Sequence, residues 1–95
     1  MKLIVSRAAA VDLERLRSFL AKTSPAAAGR AAAILASAIQ SLDTMPERGR
    51  PSELPNIREL IVPFGRSAYV LRYTYSIENR EIVVLRVWHG REARE

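Results

Sequence analysis

The chain has 95 residues, 48% of them hydrophobic and 26% charged, with a formal net charge of +5 and a pI near 10.4. That composition suits one domain with one core and is unlike a disordered tail; the basic balance points to an anionic partner, either nucleic acid or an acidic protein. Cysteine is absent, which excludes a disulfide framework, a thiolate metal site and a cysteine nucleophile, and a single histidine builds no metal cluster.

The positive charge is nearly all arginine, since only Lys2 and Lys22 are lysines. A guanidinium stays charged and makes forked contacts to carboxylates and phosphates, which suits binding and makes it a poor general base. Residues 1–43 carry six basic and three acidic groups and residues 44–95 nine and seven, so the charge is spread and no basic tail exists. No apolar run approaches the roughly 20 residues needed to span a bilayer. Met1–Arg7 is too short in apolar residues for a signal-peptide core, so a cytoplasmic protein without a membrane partner is expected.

Taken in chain order, Lys2–Val5 reads as a short strand, and Ser6 stands where a helix N-cap belongs. From Ala8 to about Lys22 the spacing of Leu13, Leu16 and Leu20, with Phe19 beside them, predicts a helix whose outer face carries Asp12, Glu14, Arg15 and Arg17. Ser24-Pro25 starts a second helix running to about Leu42, with Ala28, Ala31, Leu35, Ala38, Ile39 and Leu42 as its buried stripe. Gly29 costs helix stability there and is expected to mark a close helix contact. The short link between the helices predicts an antiparallel hairpin.

Met45–Pro51, with two prolines and a glycine, is a connecting loop. Beyond it the pattern changes to strands over Ile57–Pro63, Ala68–Ser76 and Glu81–His89, separated by turns at Phe64–Ser67 and Glu78–Arg80. The expected architecture is a single α+β domain over residues 1–95: a four-stranded sheet, an antiparallel meander with the N-terminal strand at one edge. The helical hairpin packs on one face, in the order β-α-α-β-β-β. Alternation assigns Tyr69, Leu71 and Tyr73, and Val83, Leu85 and Val87, to the core. Val70, Arg72 and Thr74, with Ile82, Val84, Arg86 and Trp88, fall on the other face. A sheet face that mixes arginines, apolar residues and a tryptophan reads as a binding surface.

A set of short motifs runs through the chain: Ser6-Arg7-Ala8-Ala9 with Asp12-Leu13, then Leu42-Asp43-Thr44-Met45-Pro46-Glu47-Arg48-Gly49-Arg50-Pro51. Ile57-Arg58-Glu59-Leu60, Pro63-Phe64-Gly65, Tyr69-Val70-Leu71-Arg72-Tyr73 and Val84-Leu85-Arg86-Val87-Trp88-His89-Gly90-Arg91 follow. None is specific alone, but their combination, order and spacing resemble the toxins of the RelE/ParE superfamily, and the ParE branch more than the RelE branch. The resemblance implies the toxin of a type II toxin–antitoxin system. Its partner would be a cognate ParD-like antitoxin, a ribbon-helix-helix protein with an acidic C-terminal tail, and operator DNA would be reached only through that antitoxin. ParE-like members act on DNA gyrase, so growth arrest by stoichiometric inhibition is expected.

RelE-like members cut messenger RNA on the ribosome, and their pattern is matched less well. No lysine follows Lys22, Val70 stands where those chains place an arginine after the strand tyrosine, and no tyrosine follows Arg91. Under that alternative His89 and Arg91 would be the catalytic candidates, with Glu59 or Glu92 as a partner for the histidine.

The residues expected to meet the target or the antitoxin are Arg58, Arg72, Arg86, Trp88, His89 and Arg91. Each has a structural reading beside the functional one. Arg72 and Arg86 suit a solvated sheet surface as well as an acidic partner, and Arg58 suits an ion pair with the loop carboxylates. Trp88 suits the end of the core as well as an interface anchor, and His89 suits a strand end. Tyr69 and Tyr73 read as packing residues. Gly49, Gly65 and Gly90 read as turn glycines without phosphate-cradling spacing, and no cofactor is expected.

Overall fold

The computed structural model describes residues 1–92. In chain order they form β1 (Lys2–Val5), α1 (Arg7–Ala21), α2 (Pro25–Ser41), one 3-10 turn (Pro46–Arg48), β2 (Arg50–Pro51), β3 (Ile57–Phe64), β4 (Ser67–Ser76) and β5 (Glu81–His89). The sheet has the order β1-β5-β4-β3-β2, with β1 parallel to β5 and every other pair antiparallel. Among the described residues no helix is long and apolar enough to cross a membrane.

Both helices begin as their sequences require. The Ser6 hydroxyl accepts from Ala9 N–H and the Ser24 hydroxyl from Ala27 N–H, each at 3.1 Å, satisfying amides that have no partner within the first turn. Three residues separate the helices. The hairpin lies on one face of the sheet, where Leu16 of α1, Leu35 and Ile39 of α2 and Leu42 at its C-cap meet Leu60, Val62, Tyr69, Leu71, Tyr73, Ile82, Val84 and Val87.

Four features differ from expectation. The sheet has a fifth strand, β2, only two residues long, pairing Arg50 with Glu59 and Pro51 with Arg58. Two residues show no periodicity, and Pro51, lacking an N–H, suits only an edge. Second, the core face of β5 carries Ile82, Val84 and Val87, not Val83, Leu85 and Val87. The cause is a bulge: Tyr73 faces Val84 and the adjacent Arg72 faces Arg86, so Leu85 is the extra residue. Strict alternation therefore holds on each side of Leu85 and fails across it, which sends Val84 inward and keeps Arg86 and Trp88 outward. Third, Asp12 is not on the outer face of α1 but buried, 3% exposed. Fourth, Gly29 makes no close contact; a Cβ there would meet nothing within 4 Å.

The close approach occurs at Gly49. A Cβ added there would lie 2.7 Å from both Cε1 and Oη of Tyr73, so the ring rests against bare backbone. The buried Tyr73 hydroxyl accepts from Gly49 N–H at 2.8 Å and donates to Pro46 C=O at 2.6 Å, clamping the loop to the sheet. Tyr73→Phe keeps the ring but leaves both loop groups without that partner, at an expected loss of about 1–3 kcal/mol. For a domain of this size each kcal/mol lowers Tm by about 4–8 °C, which thermal melts at neutral pH would measure. Gly49→Ala, which drives a methyl into the ring, is expected to cost a similar amount.

Candidate partner-binding surface

The face of the sheet opposite the helices is organised in rows. Residues directly opposite one another in register share a face. Arg50 lies opposite Glu59, Glu59 opposite Arg72, and Arg72 opposite Arg86, so one charged row crosses β2, β3, β4 and β5. The next row is apolar: Ile61 faces Val70, and Val70 faces Trp88. Arg72 links the rows, with its guanidinium carbon 4.9 Å from the Trp88 ring centroid, in cation–π range.

Within the charged row Glu59 is 5% exposed and sits between two arginines, 3.0 Å from Arg72 and 3.5 Å from Arg50. A carboxylate that deep in a sheet requires compensating charge. Arg86, at the other end of the row, turns around the edge of the sheet to Asp12 of α1, through Nε at 2.8 Å and Nη2 at 3.1 Å.

That edge explains why Asp12 is buried. β1 ends at Val5, opposite Val84, and α1 takes over where it stops. Ser6 N–H donates to Val84 C=O and the Ser6 hydroxyl to Leu85 C=O, both at 3.0 Å. Val87 N–H then donates to Asp12 Oδ2 at 2.9 Å, and His89 N–H to Glu92 Oε2 at 3.0 Å. The two carboxylates thus stand in for a missing strand. Arg15 ties them together: it lies 3.6 Å from Asp12 and grips both oxygens of Glu92, the longer contact being 3.3 Å. For Asp12, burial pushes the pKa up, but hydrogen bonds from Arg86 and the Val87 amide, with the charges of Arg86 and Arg15, outweigh it and hold it below the ordinary value. Glu92 follows the same balance: burial raises it, and the Arg15 and His89 N–H contacts bring it below.

On the helix side of β5 an apolar groove of ≈ 630 Å³ runs between the second half of α1 and the ends of β4 and β5. Leu16, Phe19, Leu20, Phe64, Tyr69 and His89 line it, with Arg91 at the rim. Phe19 is 71% exposed, although it sits on a helix with a packed face. The His89 ring meets Tyr69 edge-on, with centroids 5.7 Å apart, and its Nδ1 accepts from Arg91 N–H at 3.2 Å. Burial raises the Tyr69 pKa, with the Glu92 charge adding to it.

The anticipated residues therefore divide. Arg72, Arg86 and Trp88 share the face opposite the helices, as expected, but Trp88 is buried, 8% exposed, with the Arg72 guanidinium over its ring. His89 and Arg91 flank the groove on the other side. Arg58 belongs to neither: it donates to Gly49 C=O at 2.6 Å and Glu47 C=O at 3.3 Å, holding loop carbonyls rather than carboxylates. Glu59 is committed to arginines on the face away from the His89 ring, and Glu92 takes the histidine's backbone amide rather than its ring. Sequence reasoning left out the ion pairs that Arg50, Glu59, Arg15 and Asp12 make within this part of the fold. The Ala9, Asp12, Leu16 spacing of three and four residues was a signal for Asp12, since it places the carboxyl on the buried stripe.

Comparison with known proteins returns toxins under two names, ParE and RelE. Residues 3–94 match the family described as the ParE toxin of type II toxin–antitoxin system, parDE. The chain is 43% identical over 91 residues to the toxin RelE1 of Caulobacter vibrioides, covering 96% of this chain and 95% of that one. It is 36% identical over 83 residues to the toxin RelE3 of the same organism, covering 87% of each. Among solved structures it resembles a chain of the chromosomal ParDE system from P. aeruginosa, with a TM-score of 0.78 at 26% identity, covering 94% of this chain and 95% of the other.

The depressed carboxylates set a pH dependence. A group whose folded pKa is below its unfolded value stabilises the fold above the unfolded pKa, and that contribution is lost as pH falls through the folded one. Stability is therefore expected to be flat near neutrality and to decline below about pH 4, the ordinary carboxylate range. Asp12→Asn should lower stability at neutral pH by about 1–3 kcal/mol and make the acid decline shallower. Urea unfolding at stepped pH measures both; an unchanged acid slope in the variant would remove Asp12 from this account.

Proposed function

The chain belongs to the ParE-toxin family of type II toxin–antitoxin systems, and from that we propose that it arrests growth by binding DNA gyrase stoichiometrically, through the arginine row, Trp88 and the C-terminal segment that carries His89 and Arg91. A cognate antitoxin is its partner by membership of that family. In our reading this antitoxin is a ParD-like ribbon-helix-helix protein with an acidic tail, operator DNA is reached only through it, and both act in the cytoplasm.

The observation that carries the reading is the sheet face opposite the helices. Four charged residues in register, an adjoining apolar row and a tryptophan under an arginine are the composition of an interface centre with a charged surround. Arg50, Arg72 and Arg86 outnumber the carboxylates that pair with them, Glu59 and Asp12, and the excess positive charge would favour an acidic surface of the target. The groove behind β5 supports the antitoxin half of the proposal. Its aromatic and aliphatic lining fits apolar anchors, while Arg91 and the chain's net charge of +5 favour an acidic segment around them.

The sequence supports gyrase over RNA cleavage, because Val70 occupies a position where RelE-like enzymes carry arginine and no lysine lies beyond Lys22. The names of the two Caulobacter relatives favour the other reading, a ribosome-dependent endoribonuclease using His89 and Arg91.

Purified chain is expected to inhibit gyrase supercoiling at near-stoichiometric concentration. Arg72→Ala should weaken inhibition about tenfold or more, corresponding to about 1.4 kcal/mol or above, as for a central interface residue. A thermal melt of the variant separates this from unfolding, because Glu59 loses a partner in it. Expression in bacteria should give filamentation and a DNA-damage response. Codon-dependent cuts in ribosome-bound messenger, with supercoiling untouched, would replace this proposal with the endoribonuclease.

A further inference from the structure

The C-terminal turn is held by a residue far away in sequence. Glu92 N–H donates to His89 C=O at 2.9 Å, and Glu92 Oε2 accepts His89 N–H at 3.0 Å, so Glu92 closes the turn on itself through backbone and side chain. The same carboxylate is gripped by both terminal nitrogens of Arg15, 77 positions earlier, in the middle of α1. Gly90 N–H adds a bond to Ala68 C=O at 2.8 Å, which fixes the start of the turn to β4. The turn thus has two anchors, one in the sheet and one on the helix, and only the second depends on side chains.

We infer that Arg15 is a positioning residue: its forked contact with Glu92 fixes the His89–Glu92 turn to α1 and so sets where His89 and Arg91 are presented. This rests on the proposal above that the segment bearing His89 and Arg91 takes part in binding. Arginine is required for geometric reasons. A guanidinium meets both carboxylate oxygens at once and orients the group, whereas an ammonium neutralises it from any direction. Arg15 also reaches Asp12, so the turn is referenced to the same carboxylate that closes the edge of β5. Its side chain is 47% exposed and that of Glu92 32%. An ion pair so open to solvent adds little to stability; its effect lies in holding one geometry.

Stability and function should therefore separate in Arg15 variants, whereas a residue that only supports the fold changes both together. The test uses the full chain as wild type, Arg15→Ala, Arg15→Lys and Glu92→Gln. Arg17→Ala serves as the control, since its ion pair with Glu14 lies on the exposed side of the same helix. Three measurements are made: thermal melting, amide hydrogen exchange at His89, and inhibition of gyrase supercoiling.

Arg15→Ala is expected to melt close to wild type, to exchange the His89 amide about tenfold faster through local opening, and to need about tenfold more protein for half-inhibition. Glu92→Gln should follow it in direction, Arg15→Lys should fall between, and Arg17→Ala should match wild type throughout. Wild-type potency in Arg15→Ala despite faster exchange would overturn the positioning role, as would unchanged exchange. If the wild-type chain does not inhibit gyrase, the topoisomerase proposal fails by itself. Growth arrest on expression then replaces supercoiling as the potency readout, and equal arrest by wild type and Arg15→Ala overturns the inference.

Discussion

Past Val84 the outer edge of β5 is met by polar groups of the chain rather than by another strand, and the deepest of these is the carboxylate of Asp12. Much of the architecture follows from that contact. It fixes the angle at which α1 leaves β1, because Ser6 and Asp12 bind the same edge one after the other. It draws Arg86 around the rim, which settles the end of the charged row on the open face. Through Arg15 it reaches the turn after β5. An apolar residue at position 12 would pack against the helix but leave an edge amide without its acceptor, and such an omission costs more than a typical hydrogen bond contributes.

The helices and the meander were legible because their signals are local. Serine caps, a proline at the second helix start, leucines and alanines at helical spacing, and turn residues between apolar runs each act within a few residues. What escaped was set by partners distant in the chain. Leu85 gives no local sign of being a bulge; its extra position exists because Arg72 and Tyr73 fix the register from the neighbouring strand. β2 exists because Glu59 and Arg58 offer a place to pair. Asp12 looked like a surface acid because charge usually means exposure, yet its spacing belonged to the buried stripe. Of the site residues, Arg72, Arg86 and Trp88 were placed together by alternation, and their shared face survived the bulge because all lie on the same side of it. Arg58 lies apart from them because its partners are loop carbonyls, which carry no mark in a sequence.

Two surfaces of different chemistry now lie on either side of β5. One is a charged row bordered by an apolar row; the other is an aromatic groove with basic residues at its margin. Trp88 and His89 are adjacent in the chain and point to opposite sides, so one short strand end contributes to both. Occupation of either side bears on the same backbone, which gives a physical route by which one partner can influence the other without covering its surface.

The pairing of the first strand with the last has a temporal consequence. Leu3 lies beside Ile82 and Val5 beside Val84, so the N-terminal strand has no neighbour in the sheet until the final strand has been made. Contacts this far apart in sequence form late and slowly. During synthesis the chain can fold its helical hairpin and then its meander, but the edge that Asp12 closes requires residues from β5, the last strand of the sheet to be made. A protein assembled in this order has neither of the surfaces beside β5 until that strand is in place. A cognate antitoxin is then offered both surfaces together, once β5 has joined the sheet, and neither of them while the first half of the chain stands alone.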